Sequence, residues 1–333
     1  RTVETPGLYT LVVTARADGL IAQRRVDFEI LLTGSSLLIL RVLDLGSNDA
    51  GGGGDAILVT DSSASGLVHA LVDAGPAGAN AADPGFVARR LAALGVDSLA
   101  FVVLTHAHSD HYAGLPSVLA RFPVARFYFN GQVRSLRSYT EVLDSARARA
   151  DTLIVPAAVA QLAVGRDTAR TQVVILPPLP DWIGTDTDNG SLLNEGSLGV
   201  RLQRGSFEVF LTGDGEVLAN ARWRTQFQSY TRAVDALKVG HHGANDAIFD
   251  NGFSGNSTWL AQTAPAVALV SANGTSHPRI SATGRLLTQP GLRTYCTNVH
   301  GTIEIRINPE GRYRVDVERN RDANCVPGSN ADS

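Results

Sequence analysis

The rhythm of hydrophobic and polar positions changes along this chain, and the changes mark out its elements. Pro6–Thr14 and Val26–Ile30 alternate apolar with polar residues, as a half-buried strand does, and Ala17-Asp18-Gly19 supplies a turn between them. Residues 1–36 are therefore expected to form a β-hairpin. Apolar runs rich in branched and aromatic residues predict buried strands at Leu37–Leu45, Ala56–Thr60, Val68–Asp73 and Ala100–Leu104. Within Pro84–Leu94, Phe86, Val87, Leu91 and Leu94 recur at helical spacing, and Gly95 ends the pattern. Helices are also expected over Gly114–Phe122 and Tyr139–Ala150. The plan then repeats. Strands are predicted at Thr171–Leu176, Leu198–Gln203 and Val209–Leu211, a helix near Gly215–Arg224, and strands at Ala236–Val239, Val267–Ser271 and Thr302–Ile307. Two strand-rich halves interleaved with helices predict a mixed α/β body over residues 37–318. A polar tail, residues 319–333, follows it. The run Gly51–Gly54 lacks a Gly-Lys-Ser/Thr ending and a following helix, so it reads as a flexible turn rather than a phosphate cradle.

Composition narrows the class. The 333 residues suffice for one large core, and 44% hydrophobic content with mean hydropathy +0.02 describes an ordinary globular chain. No stretch approaches the ~20 apolar residues that a membrane helix requires, so a DNA channel built from membrane helices is not expected. A net charge of −3 provides no overall field to attract nucleic acid. The chain opens at Arg1 and contains no Met, which reads as a mature or trimmed form. Of its two cysteines, Cys296 lies in an expected strand and Cys325 in a tail with little reason of its own to be ordered. That pairing predicts a disulfide fastening the tail, and with it an extracytoplasmic or secreted protein; two free thiols in a cytoplasmic protein are the alternative.

Chemistry concentrates at Thr105-His106-Ala107-His108-Ser109-Asp110-His111. Three of the chain's eight histidines and a carboxylate follow directly on the apolar run Ala100–Leu104. His106 and His108, at i and i+2 on a strand end, can point to one side. Asp110 and His111 lie on the turn beyond. Neutral imidazoles with a carboxylate suit Zn²⁺ or a similar divalent ion, and this many donors in one loop point to two adjacent metals. Lys238 stands out differently: it is the only lysine among 29 basic residues. Its retention suggests a place that needs a compact ammonium, propping the His241 loop or a buried carboxylate.

The His-x-His-x-Asp-His spacing resembles the metallo-β-lactamase superfamily. Further motifs in order resemble the soluble hydrolase domain of ComEC-type competence proteins: Asp44-Leu45-Gly46 with Gly54-Asp55-Ala56-Ile57, Val72-Asp73-Ala74-Gly75, Phe210-Leu211-Thr212-Gly213-Asp214, Leu237-Lys238-Val239-Gly240-His241-His242-Gly243, Ser276-His277-Pro278 and His300-Gly301-Thr302-Ile303-Glu304. The resemblance implies an αββα sandwich of two mixed sheets flanked by helices. It implies two divalent metal ions, Zn or Mn, held by His106, His108, Asp110, His111, Asp214 and His241, with Asp214 bridging. His242 is then expected beside the metals or facing substrate, though the two adjacent histidines can exchange roles. Asp110, His242, His277 and Lys238 are the expected catalytic group, His277 as an acid or phosphate donor. One departure is plain: no histidine stands between His111 and His241, where the superfamily usually supplies a third imidazole to the first metal. Asn194 and Ser197 occupy that stretch as weak metal or substrate contacts. His69 and His300 read as structural. By resemblance the N-terminal hairpin looks like the closing strands of an immunoglobulin-like domain, or else strands added to the hydrolase.

The implied activity is hydrolysis of phosphodiester bonds by a metal-bridging hydroxide, on nucleic acid or a phosphorylated cell-surface molecule. An acyl hydrolase of lactonase or β-lactamase type, and a secreted binding module with a vestigial metal site, are the alternatives. Arginines 121, 126, 134, 137, 147 and 149, with Tyr128 and Tyr139, form a basic stretch that fits a phosphate-tracking face; Glu141, Asp144 and Asp151 among them suit an ordinary solvated helix better.

Overall fold

The computed structural model describes residues 7–17, 20–30, 36–46, 53–63, 65–76, 85–166 and 168–331. The expected turn at Asp18-Gly19 and the first half of the glycine run, Gly51-Gly52, lie outside the described residues. Strands β1 (Gly7–Ala17) and β2 (Leu20–Ile30) pair antiparallel in a sheet of their own. The body begins with β3 (Leu37–Val42), β4 (Ile57–Ser63), β5 (Gly66–Val72), β6 (Phe101–Leu104), β7 (Val124–Phe129) and β8 (Ala150–Ile154). It continues with β9 (Ala160–Val164), β10 (Thr171–Ile175), β11 (Val200–Arg204), β12 (Phe207–Leu211), β13 (Ala236–Lys238), β14 (Val267–Val270) and β15 (Arg293–Cys296), and closes with β16 (Ile303–Ile307) and β17 (Tyr313–Val317).

Among the described residues the body holds two sheets, ordered β17-β16-β3-β4-β5-β6-β7-β8 and β15-β14-β13-β12-β11-β10-β9. Each is half antiparallel and half parallel: β5 to β8 run parallel in one, β12 to β15 in the other. Side-chain alternation explains the layering. In β4, Ile57 and Val59 join the core between the sheets while Leu58 joins the core beneath the helices; in β12, Val209 and Leu211 face the other sheet while Phe210 faces outward. Buried on both faces, such strands read as continuous apolar runs. Helices Phe86–Ala93, Leu115–Arg121 and Arg137–Arg149 cover one sheet, and Val217–Gln226, Thr258–Thr263 and Ile280–Thr288 cover the other. The result is the expected αββα sandwich.

At one end of the sandwich, Asp61 on β4 and Arg204 on β11 form a buried ion pair across the sheets at 2.7 Å. At the other end lie the carboxyl ends of the parallel strands β5, β6, β12, β13 and β14. Loops leaving those ends are free of ladder hydrogen bonds and converge in one crevice, the place where open α/β sheets hold their ligands.

Candidate metal centre

The crevice gathers the motif residues. Phe101–Leu104 are buried on both faces and carry β6 to Thr105, after which the chain closes into the short helix Ser109–Tyr112. His106 and His111 are wholly buried there, and Asp110 almost so. His106 Nε2 stands 3.0 Å from His108 Nδ1 and 3.8 Å from Asp214 Oδ2. Beside them, Asp214 Oδ2 lies 3.1 Å from His111 Nε2 and 3.1 Å from His242 Nε2, and His242 Nε2 lies 3.2 Å from Asp110 Oδ2.

The other nitrogen of each buried ring shows which atom faces the crevice. Asp73 accepts from the Thr105 amide at 2.8 Å and from Thr105 Oγ1 at 2.7 Å, and its Oδ2 meets His111 Nδ1 at 2.8 Å. Thr105 Oγ1, having given its proton to Asp73, accepts from His106 Nδ1 at 3.0 Å. His242 Nδ1 donates to Ser271 O at 2.9 Å. The network thus assigns Nδ1–H to His106, His111 and His242 and leaves each Nε2 lone pair turned inward. His111 Nε2, His242 Nε2 and Asp214 Oδ1 are buried without a hydrogen-bond partner. Orphaned acceptors are costly unless a cation completes them. Ligand atoms on a tetrahedral zinc, at bonds of about 2.0–2.1 Å, sit about 3.3 Å apart, close to the spacings here. The donors fall into clusters fit for a divalent ion, among them His106, His108 and Asp214, and Asp110, His111, Asp214 and His242.

Electrostatics agree. Asp55, Asp73, Asp110 and Asp214 are all buried, and Lys238 is the ammonium buried with them. Lys238 Nζ pairs with Asp55 at 2.5 Å, approaches Asp214 Oδ1 at 3.6 Å and donates to Gly213 O at 2.8 Å. Burial works to lower its pKa, but Asp55 and Asp214 outweigh burial and keep it charged. Burial likewise opposes the charged form of Asp214; without a metal, His111 and His242 overcome it only in their protonated form, holding the carboxyl well below the usual range and supplying the positive charge that a bound ion would bring instead. One lysine against four carboxylates leaves a deficit of positive charge that divalent ions would fill.

The structure places the adjacent histidines in the order opposite to the one expected. His242 turns into the cluster. His241, a quarter exposed, turns away, its Nδ1 lying 3.1 Å from Glu216 Oε1 and 3.3 Å from Asp246 Oδ1. Both have left-handed backbone, φ 44° at His241 and φ 54° at His242. Burial works to lower the His241 pKa, but the Asp246 and Glu216 carboxylates raise it to about 10. Asn194, on the short helix Gly190–Glu195, donates to Glu216 Oε1 at 2.6 Å, its Nδ2 lies 3.5 Å from His241 Nε2, and its Oδ1 has no partner. Ser197 does not face the crevice; its Oγ accepts the Asp214 amide at 3.1 Å and so fixes that loop. His277 faces the site from the loop after β14, its ring 5.3 Å from that of His241 and 6.1 Å from that of His242. Burial, then His242 and His241, pushes it down to about 3, so it is neutral: a hydrogen-bond donor or acceptor rather than a charged acid.

His69 lies apart, bonded to Thr60, and His300 lies against Cys296, so neither joins the cluster. Arg137 and Arg147 pair with Glu141 and Asp144 on the exposed helix, as a solvated face does. Arg134 pairs with Asp188 at 2.9 Å and in addition holds Ala107 O through Nη1 at 2.8 Å, beside His108. Asp55, Asp73, Glu216 and Asp246 join the site without having been expected there; for the first two the sequence does carry a signal, an aspartate set directly against an apolar strand.

A family model described as "Metallo-beta-lactamase superfamily" matches residues 50–218. ComE operon protein 3 of Bacillus subtilis (strain 168) is 26% identical over 230 residues, 68% of this chain but 27% of its own, so this chain spans about a quarter of that relative. Among solved structures, a variant of CmlA β-hydroxylase aligns over 83% of this chain and 55% of its own at 14% identity and TM-score 0.46. Zn²⁺-bound PqqB from Methylobacterium extorquens covers 66% of this chain and 79% of its own at 18% identity and TM-score 0.37. A metallo-β-lactamase from Hirschia baltica covers 67% and 89% at 12% identity and TM-score 0.32.

Proposed function

The chain belongs to the metallo-β-lactamase superfamily, and from that footing we propose that it is a two-metal hydrolase of phosphodiester bonds. The observation that carries this reading is the convergence of inward-facing Nε2 atoms on Asp214, buried and without partners. Asp110, His111, Asp214 and His242 would hold one ion, and His106, His108 and Asp214 the other. The ions, once bound, would polarise the ester and lower the pKa of water.

The remaining work falls to the chain itself. Asp214 would be the carboxylate common to both ion positions, and Lys238, Asp55 and Ser197 fix where it stands. His277, neutral and facing the crevice, offers a hydrogen bond to an oxygen of the substrate. His241, held between Glu216 and Asp246, and Arg134, paired with Asp188 and braced on Ala107 O, stand at the rim with their charges already met by carboxylates, so the bound ions would carry the attraction for an anionic diester. Asn194 falls in the stretch of sequence where a third imidazole is expected, though its side chain bonds Glu216 and approaches His241; we read the first site as looser and suited to hard-oxygen ligands such as those of Mn²⁺. The Cys296–Cys325 disulfide supports an extracytoplasmic location, since such bonds persist in oxidising compartments. The N-terminal hairpin, pairing in its own sheet, is read as a unit separate from the hydrolase and similar to the end of an immunoglobulin-like domain.

The test is hydrolysis of bis(p-nitrophenyl) phosphate with added Mn²⁺ or Zn²⁺. Turnover is expected, with loss of at least about 10²-fold in Asp214→Ala. Turnover of p-nitrophenyl esters or lactones in place of the diester would move the assignment to acyl hydrolysis. A protein that binds neither ion would defeat the enzyme reading.

A further inference from the structure

Beyond β17 the chain turns back and lies along the Asn273–Pro278 loop, which brings His277 to the crevice. Three consecutive backbone groups reach it: Gly328 N–H donates to Pro278 O at 2.9 Å, Ser329 N–H to Gly274 O at 2.9 Å and Asn330 N–H to Thr275 O at 2.8 Å. The approach is close, for a Cβ on Gly328 would stand 2.4 Å from Thr275 O and 3.0 Å from His277 N. A few residues earlier the same segment is fastened. Cys325 is bonded to Cys296 at the end of β15, and both sulfurs are buried. His300 accepts the Cys296 amide on Nδ1 at 3.0 Å, which leaves its Nε2 proton for Ala323 O at 3.1 Å. Asn298 Nδ2 adds a bond to Val326 O at 3.3 Å.

We propose that Ala323–Asn330, locked by the Cys296–Cys325 disulfide, is a strap that positions the His277 loop, so that opening the disulfide detunes the site without dissolving the fold. Cys325 is the one buried side chain of the strap; Val326 is 52% exposed and the other side chains lie at least partly in solvent. Backbone hydrogen bonds alone do not offset the entropy of ordering such a segment. The cross-link supplies the difference by keeping the strap close to its partners in every state of the loop. The link to catalysis rests on His277 facing substrate in the hydrolase reading; the link to loop order does not.

The experiment compares the metal-loaded protein oxidised, reduced, and as Cys325→Ser, reading amide exchange at residues 274–277 alongside diester hydrolysis. Reduction is expected to speed exchange at the Gly274 and His277 amides, while metal content and a single cooperative melt persist. The kcat should fall about tenfold, as misplacement of a positioned group does, with KM within about twofold. Gly328→Ala, which keeps the disulfide, should lower kcat similarly. In a His277→Ala background, Cys325→Ser should cost nothing more, because both changes act through one side chain. Unchanged exchange on reduction overturns the strap, whatever the turnover. Faster exchange with undiminished kcat overturns its positioning role and the substrate contact of His277 together. If the oxidised protein hydrolyses no diester, the hydrolase reading fails while exchange still decides whether the strap orders the loop.

Discussion

A buried carboxylate persists only where something positive or hydrogen-bonding faces it, and Asp214 faces His106, His111, His242 and Lys238. Two predictions belong at this scale. His242→Ala should remove one ion per chain, since it takes a donor from the set with Asp110 and His111. His241→Ala should keep both, because its ring pairs with Glu216 and Asp246 instead. Metal analysis after gel filtration separates the two; equal loss in both variants would refute the assignment. The second concerns Lys238. Lys238→Met strands Asp55 in the interior, and removal of one partner of a buried pair costs about 3–5 kcal/mol. Urea denaturation in chelator should show a loss of that order, and Lys238→Arg should not restore the native value, because a planar fork replaces a compact ammonium at 2.5 Å from Asp55. A deficit below about 1 kcal/mol, typical of an exposed pair, would refute the buried bridge.

Strands bring the next scale into view, and β5 carries a titration that the metal site does not touch. His69 sits on β5 with Nδ1 3.0 Å from Thr60 Oγ1. Burial lowers its pKa from 6.5, with Arg41 adding to the effect and Asp97 opposing it. The folded chain therefore binds this proton less readily than the unfolded chain does. Its contribution to stability is present above the ordinary pKa of 6.5 and is lost as pH falls below it toward the folded value. Metal-free protein with His69→Gln should lose stability less steeply than the native chain between about pH 7 and pH 5; equal slopes would show that His69 is not the group. The same strands explain what was legible in the sequence. β4, β6 and β12 are covered on both faces, so their apolar runs announced them. β8, β9 and β17 went unpredicted because they lie at or near sheet edges and leave much of their side-chain surface in solvent, which dilutes the pattern. The first loop of the site could be read because its spacing is local. Lys238 with Asp55 could not, since residues far apart in sequence meet only when both sheets are assembled. Which of His241 and His242 turns inward depends on two left-handed residues in succession, a conformation that non-glycine residues rarely adopt and that no pattern of polarity signals.

At the scale of the whole molecule, the proposed ligands divide between the sheets. Asp110 and His111 come from the loop after β6, in the sheet that runs from β17 to β8; Asp214 and His242 come from the loops after β12 and β13, in the sheet that runs from β15 to β9. An ion bound by all four would tie the two sheets at the crevice, as the Asp61–Arg204 pair ties them at the far end. Between these ends the sheets share a continuous apolar core that needs no metal, from Leu38 and Val59 across to Val200 and Val209. Chelation should therefore lower stability and leave a single cooperative transition. Free ion at a hundred times its Kd stabilises by about 2.7 kcal/mol, which for a domain of this size raises Tm by roughly 4–5 °C per ion. Calorimetry with and without chelator measures it, with Asp214→Ala as the control, because the residue common to both ion positions is gone and the shift should vanish. A metal-dependent rise of the same size in that variant would mean the ions bind elsewhere. Loss of cooperativity on chelation would mean the apolar core alone does not hold the two sheets together.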